Sequence, residues 1–210
     1  MIRHTYFARL NDDTSIWIRH LRSSDKTCLK TEFENMSEKS RYFRFMSWQK
    51  TLSPSLLKHL TEIDHINHVA LCAGTLCTEG RKGVGIARYI RCKNNPAIAE
   101  AAITVVDAYQ HCGAGSILLQ VLSQIAWNNG IRTFQGYILP ENQKMINFVR
   151  RYQVRIQLER GPLYRVDLDI PIILKNNYRM DILRCNTTHG KEAIGLKSAS
   201  KPTSFPMERI

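Results

Sequence analysis

The stretch YQHCGAGS (residues 109–116) constrains this chain more than any other part of its 210 residues. The apolar run IAEAAITVV precedes it, and apolar residues recur at helical spacing from Ile117 to Ile125. A strand, a bare turn and an amphipathic helix together favour phosphate binding, because the first N–H groups of a helix lack partners and the helix dipole attracts anions. A tight strand-to-helix turn without a ligand is the alternative interpretation.

Two common phosphate-binding motifs are excluded by the residues that follow the glycines. A P-loop requires Lys and then Ser or Thr after its last glycine, but Gly115 is followed by Ser116 and Ile117. The dinucleotide fingerprint requires a third glycine where Leu118 stands. That fingerprint also lies near the start of a parallel sheet, whereas several predicted elements precede this turn.

The segments before the turn predict a strand, three helices and an antiparallel meander. Residues 15–21 form the first strand, and helix starts are predicted near residues 23–25, at Ser37 and at Ser53. The meander comprises residues 68–76, 84–91 and 98–106. Alanine in the last segment is compatible with a helix, but the preceding turn and its β-branched residues favour a strand.

The segments after the turn predict a helix, a strand, a second helix and a short hairpin. Gly130 is expected to end the first helix in a left-handed conformation. A strand follows over residues 131–139, and a helix begins after Pro140. Two short strands are predicted at about residues 154–158 and 163–168.

Charge and cysteine content favour a cytoplasmic protein with an anionic partner. The formal net charge is +12, which is typical of proteins that bind nucleic acid, phosphorylated cofactors or acidic proteins. The six cysteines include no CxxC pair and no zinc-finger spacing, so we expect reduced thiols and no metal. The first residues are too polar for a signal peptide, and no apolar run approaches the ~20 residues of a membrane helix.

The segment QHCGAG fits the pattern Q/R-x-x-G-x-G/A, and with it the chain resembles the GNAT superfamily of N-acetyltransferases over residues 15–168. The segments SEKSRYFRFM, VGIARYI and ILPENQKM are similar to the bacterial Pat-type protein-lysine acetyltransferases. The resemblance implies an α/β (α+β) fold with a twisted, mixed but mostly antiparallel sheet of six to seven strands flanked by helices. It also implies a V-shaped splay between family strands 4 and 5.

The resemblance further implies acetyl-CoA as the acyl donor and assigns its contacts. The pantetheine arm would pair with the backbone of Ile103, Thr104 and Val105 as if it were an added strand. Asn142 would contact the cofactor or the reaction centre, although it could instead cap the following helix. The loop that would enclose the pyrophosphate consists of Gln110, His111, Cys112, Gly113, Ala114, Gly115 and Ser116.

Glu100 is the candidate general base, since an ammonium must lose a proton before it can attack a thioester. Strand alternation places Glu100 on the same face as Thr104, among small apolar neighbours that indicate a partly buried site. An edge carboxylate paired with Arg88 or Arg91 is the alternative. Similar Pat-type sequences have their catalytic glutamate in a matching AE segment.

Four further residues bear on the chemistry. Many relatives have a tyrosine seven residues after the asparagine, where this chain has Val149, and Tyr152 is expected to pack in the core. A glycine common near the end of that helix is replaced by Gln153. Cys112 lies where thiols acidify, but direct transfer is typical of the superfamily.

The sequence therefore predicts an acyltransferase that moves an acetyl group from acetyl-CoA to a primary amine, either a protein lysine or a small amine. The alternative is an inactive module with the same fold that senses CoA or associates with nucleic acid, although no RNA-binding aromatic signature supports the latter. We expect residues 1–170 to form the acetyltransferase domain. Residues 171–210 are expected to form a basic, weakly structured extension.

Overall fold

The computed structural model describes residues 4–76, 82–159, 161–175 and 183–186. The strands in these residues are β1 (His4–Arg9), β2 (Ser15–His20), β3 (His68–Thr75), β4 (Gly83–Arg91), β5 (Ile98–Val105), β6 (Thr133–Ile138), β7 (Arg155–Leu158), β8 (Tyr164–Asp169) and β9 (Leu183–Asn186). The helices are α1 (Lys26–Asn35), α2 (Glu38–Phe45), α3 (Pro54–Thr61), α4 (Ala114–Asn128), α5 (Gln143–Arg150) and α6 (Ile170–Lys175).

All described strands belong to one sheet with the order β7-β8-β6-β5-β4-β3-β2-β1-β9. Neighbouring strands are antiparallel except β5 and β6, which are parallel. The predicted fold class, a mixed and mostly antiparallel sheet flanked by helices, is confirmed. The sheet contains nine described strands, two more than the upper expected number. One is β1, in which Phe7 between the buried Tyr6 and Ala8 obscures the strand pattern, and another is β9, which lies beyond the expected domain boundary.

Local sequence signals explain where the first helices begin. The Ser37 side chain accepts a hydrogen bond from the Ser40 N–H and caps α2, as predicted. Ser53 caps α3 in the same way, and Pro54 occupies its first turn. The alanine-containing segment 98–105 is a strand, because it completes the meander against β4.

The two faces of the sheet carry different layers. Leu118 and Leu122 of α4 are fully buried against the meander, together with Ala87 and Tyr89 of β4. The intervening Arg88 points to the opposite face, where its Nη2 lies 3.4 Å from the carbonyl oxygen of Leu60 in α3. The amphipathic α4 thus covers one face, and α3 lies on the other with α1.

The strands β5 and β6 pair over only three residues, Ile98–Thr133, Ala99–Phe134 and Glu100–Gln135. Beyond Glu100, β5 continues to Val105 alongside β4 and β6 continues to Ile138 alongside β8, without pairing to each other. The backbone of residues 101–105 therefore has an open edge toward β6. This divergence is the splay that the resemblance implied.

In the described part of the chain, no helix is both long enough and apolar enough to cross a membrane. Most of the expected basic extension lies outside the described residues, so the boundary at residue 170 stays a prediction. Two elements of that extension are described. Helix α6 contacts α4 and buries Ile173, and β9 pairs with β1.

Candidate active site at the splayed strands

A cleft of about 1030 Å³ opens where β5 and β6 separate. Its walls come from the end of β5, from β6, from the first turn of α4, from α5 and from α2. Most of the predicted site residues line it: Glu100, Ile103, Thr104, Val105, Gln110, His111, Gly113, Gly115, Ser116 and Asn142. Cys112 and Ala114 belong to the same loop but do not line the cleft, since Ala114 is buried beneath it.

The glycine-rich turn adopts a left-handed backbone at two positions. His111 has a φ of 65° and Gly113 a φ of 91°, both in the left-handed region that favours glycine. A Cβ added at Gly113 would lie 3.2 Å from Oδ1 of Asn11. The Asn11 N–H also donates a 2.9 Å hydrogen bond to the Cys112 carbonyl oxygen, so the β1–β2 turn fixes this loop.

The first turn of α4 presents free backbone donors to the cleft. Gly113 is the N-cap residue and has no side chain to satisfy them. Ser116 and Ile117 donate to the Gly113 carbonyl oxygen, whereas the N–H groups of Ala114 and Gly115 form no hydrogen bond with any described residue. Unsatisfied donors at the positive end of a fifteen-residue helix form a site for an anion.

The Gln110 side chain is held by three neighbours. Its Nε2 donates to the Val105 carbonyl oxygen at 3.2 Å and to Asp107 Oδ1 at 2.8 Å, and its Oε1 accepts from Lys144 Nζ at 2.9 Å. Sequence reasoning missed both Asp107 and Lys144. The polar atoms of the Gln110 side chain are therefore all engaged, which fixes the conformation of this residue at the cleft.

Asp107 connects the loop to helix α2. Its carboxylate accepts hydrogen bonds from the Ser40 hydroxyl at 2.7 Å and from the Ser37 N–H at 3.2 Å. Partial burial raises the pKa of Asp107, but these hydrogen bonds outweigh it and lower the pKa below its usual value. The same two serines that start α2 therefore also attach it to the cleft.

The expected acidification of Cys112 is not present. Burial and the nearby Asp12 carboxylate raise the pKa of the Cys112 thiol, and its Sγ lies 3.5 Å from the Gln110 carbonyl oxygen. The helix N-terminus exposes backbone donors to the cleft side, whereas Cys112 lies outside the lining. A thiol with a raised pKa is a poor nucleophile, which argues against transfer through this cysteine.

The alternative role of Asn142 is present in the structure. Its Oδ1 accepts a 3.2 Å hydrogen bond from the Met145 N–H and caps α5, while the residue also lines the cleft. Val149 and Tyr152 are buried, as expected for core residues. Gln153 has a φ of 52°, which explains why a glycine is common near the end of this helix.

Glu100 lies on the cleft face of β5 but is exposed, so the expectation of a partly buried carboxylate is wrong. Its position opposite Ile90 and Gln135 in the sheet leaves the carboxylate at the start of the splay. In the described part of the chain it forms no salt bridge with Arg88 or Arg91. Arg91 instead donates to Asn67 and to backbone oxygens.

Two cleft residues near Glu100 had no signal that sequence reasoning could use. Arg44 extends from α2, and partial burial lowers its pKa while the Glu100 charge raises it. Tyr137 lies on β6 on the same face as Gln135, and its Oη accepts a 3.0 Å hydrogen bond from Gln135 Nε2. Each looks like an ordinary surface residue until the tertiary structure brings it to the cleft.

Comparison with known proteins identifies the family. Residues 33–153, more than half of the chain, match the acetyltransferase (GNAT) family. The chain belongs to this family. The GNAT match includes the meander, the glycine-rich turn, α4, β6 and α5, which are the elements that build the cleft. The family match therefore supports acetyl transfer as the general activity of this protein.

The relatives place the chain beside the Pat proteins within the GNAT family. It is 32% identical to an acetyltransferase of Pseudomonas aeruginosa over 65% of this chain and 73% of that protein. It is 31% identical to acetyltransferase Pat of Mycolicibacterium smegmatis over 64% of this chain, and the match spans only 40% of that protein. The crystal structure of the GNAT domain of S. lividans PAT superposes with a TM-score of 0.71 at 27% identity, covering 78% of this chain and 95% of that domain.

Proposed function

We propose that the protein is an acetyl-CoA-dependent N-acetyltransferase whose acceptor is a primary amine, specifically a protein lysine. One observation supports this proposal above all: two segments of backbone with unpaired hydrogen-bonding groups face the same cleft. These are the free N–H groups at the start of α4 and the open edge of β5 at residues 101–105. CoA has a pyrophosphate and an amide-containing arm that match these two surfaces in chemistry.

The donor end of the cleft, defined as residues 103–105 and 110–116, would hold acetyl-CoA. The pyrophosphate would accept hydrogen bonds from the α4 N-terminus, where glycine leaves the backbone accessible. The pantetheine amides would pair with the open edge of β5. Because the Oδ1 of Asn142 caps α5, its Nδ2 is the group that would donate a hydrogen bond to acetyl-CoA.

The acceptor end, defined as Arg44, Glu100 and Tyr137, would carry out the transfer. Glu100 would accept a proton from the ammonium, directly or through water, because its carboxylate lines the cleft at the start of the splay. The free amine would then attack the thioester carbonyl and form the C–N bond. The C–S bond breaks, CoA leaves as a thiolate, and the second amine proton passes to solvent.

Tyr137 would assist at the leaving step. Because its Oη already accepts from Gln135, its own proton remains available to donate toward the cleft. A thiolate needs little such help, since thiol pKa values lie near ~8.5. The absence of a tyrosine at Val149 is therefore compatible with activity.

The resemblance to the Pat-type protein-lysine acetyltransferases supports a protein lysine as the acceptor. A thermal-shift titration with acetyl-CoA tests the donor, and CoA release with lysine peptides and small amines tests transfer. Mass spectrometry of acetylated proteins, with Glu100→Gln as the control, then identifies acceptors. Binding without CoA release from any amine would favour the inactive module, and no binding of acetyl-CoA would exclude both functions.

A further inference from the structure

The acceptor end has a net positive charge, which binding of an ammonium group alone does not explain. Arg44 lines the cleft beside Glu100, and Arg88 lies behind it on β4. In the described residues neither arginine forms a salt bridge; the charge of Glu100 acts on Arg44, and the charge of Arg44 acts on Arg88. One carboxylate and two guanidinium groups leave an excess of one positive charge next to the reaction centre.

Arg44 is the arginine that a ligand can reach. It is half-buried on the last turn of α2, and its guanidinium carbon lies 5.1 Å from the centre of the Phe45 ring. Stacking on an aromatic ring holds the planar group without using its N–H donors. No hydrogen bond from Arg44 to a described residue satisfies these donors, so the side chain is oriented while its donors remain available.

Arg88 adds to the positive potential without reaching the cleft. Its side chain is 95% buried, its Nε has no partner, and its closest contacts are 3.4 Å to His68 Nε2 and 3.4 Å to the Leu60 carbonyl oxygen. Because Arg88 pairs with Ala102, it lies on the same face of the sheet as Glu100 and diagonally next to it. A buried guanidinium without a carboxylate is costly unless an anion approaches it.

We propose that Arg44, backed by the charge of Arg88, forms a subsite for a carboxylate of the acceptor. This inference deepens the proposed function and rests on it. The phosphates of the donor would occupy the opposite end of the cleft, at the start of α4. An acceptor whose amine reaches Glu100 would place a neighbouring carboxylate on Arg44, where a guanidinium can hold it with two parallel hydrogen bonds.

The carboxylate has two possible sources, an acidic side chain next to the acceptor lysine or the free carboxylate of a small amino acid. Lysine peptides flanked by Glu, by Gln or by Arg test the first source. 4-Aminobutyrate and its amide test the second. Both kcat/KM and the binding of each labelled peptide to the CoA-saturated protein are measured, because binding reports on the subsite even when no transfer occurs.

We expect the Glu-flanked peptide to exceed the Gln-flanked peptide about tenfold in affinity and in kcat/KM. Arg44→Gln should remove this preference and leave the affinity for acetyl-CoA unchanged. Arg44→Lys should retain part of it, since the charge remains. Lys30→Gln removes the same charge from the exposed surface of α1, outside the cleft, and should leave the preference intact.

Equal binding of the three peptides by the wild-type protein, together with equal activity on 4-aminobutyrate and its amide, would overturn the subsite, even if transfer proceeds. Equal loss for all peptides in a folded Arg44→Gln variant, checked by circular dichroism, would also overturn it and show a general role. Charge-selective binding without any transfer would support the subsite and refute the proposed function. A preference confined to 4-aminobutyrate over its amide would support a small amino acid as the source.

Discussion

The two ends of the cleft are built in different ways. The donor end is contiguous in sequence and consists mainly of backbone: the open edge of β5, then a loop and the first turn of α4. The acceptor end consists of side chains from α2, β5 and β6, which are separated by up to about a hundred residues and meet only in the folded protein. The donor end therefore presents mainly backbone groups to the cleft, whereas the acceptor end presents side-chain groups.

This difference indicates where variation can be tolerated. Backbone donors at a helix terminus bind any pyrophosphate in the same way, so the proposed donor end would take a cofactor that many enzymes share. Arg44, Glu100 and Tyr137 contribute through their side chains, so we expect the elements that carry them to tolerate substitution at these positions. Specificity for the acceptor should therefore reside in this second group of residues.

The largest expected effect is the separation of chemistry from donor binding by Glu100→Gln. We expect kcat to fall by about 10²- to 10⁴-fold, because the amine loses its proton acceptor, while the Kd for acetyl-CoA stays the same. Glu141→Gln removes a different carboxylate that lines the cleft and should change kcat little. Steady-state kinetics and a thermal-shift titration measure both quantities. Unchanged turnover in Glu100→Gln would remove Glu100 from the mechanism.

Two matched glycine substitutions, one in the loop of the donor end and one outside it, should differ in their effect on acetyl-CoA binding. Gly113→Ala and Gly130→Ala each place a Cβ at a positive φ, 91° and 84°, which costs about 1 kcal/mol of stability. At Gly130 nothing lies within 4 Å of the added atom, whereas at Gly113 it meets Asn11. We expect only Gly113→Ala to weaken acetyl-CoA binding, by about tenfold, as measured by calorimetry. Equal affinities in the two variants would contradict a role for this loop in binding.

Protonation of His68 should make the region behind the acceptor end sensitive to acid. Burial, and then the charge of Arg88, lower the pKa of His68 to about 4. The unfolded chain therefore binds more protons, so stability is lost as the pH falls from about 6.5 through about 4. For a half-buried ring we expect this loss to be about 1–2 kcal/mol. Urea unfolding at several pH values should show this step in the wild type and not in His68→Gln; identical pH profiles would contradict it.

The smallest expected effect is that of Tyr137→Phe on the leaving step. We expect kcat to fall less than about tenfold, because a thiolate leaves without much proton assistance. Tyr109→Phe removes the hydroxyl of another tyrosine that lines the cleft and should leave kcat unchanged. The solvent deuterium isotope effect on kcat provides the readout, since the phenol proton moves in the leaving step of the wild-type protein only. An isotope effect that is the same in the wild type and in Tyr137→Phe would indicate a structural role.

Much of the fold could be predicted because its signals are local. The caps at Ser37 and Ser53 fixed two helix starts, and the left-handed Gly130 ended α4 with a φ of 84°. The meander was predictable because turns bound β-branched runs. Strand β1 was missed because Phe7 between the buried Tyr6 and Ala8 interrupts the apolar and polar alternation, and these residues acquire a partner only in β2.

The candidate site was predictable only in part, because only some of its features have local sequence signals. Its donor end could be found from one stretch of sequence, because bare backbone at a helix start is itself a local pattern. The exposure of Glu100 was not predictable, since it depends on how far β6 diverges from β5. Asp107, Lys144, Arg44 and Tyr137 were missed because a charged or phenolic side chain on an amphipathic element has no local mark of function.

The sequence by itself determined the order of the elements, the bare turn before α4 and the family to which the chain belongs. These features depend on interactions among near neighbours in the chain, which composition and spacing record. Only the tertiary structure decided which side chains face the cleft and which arginine side chains lie near Glu100. Burial and charge at a site depend on contacts between distant segments, and those contacts exist only after the sheet and its helices have packed together.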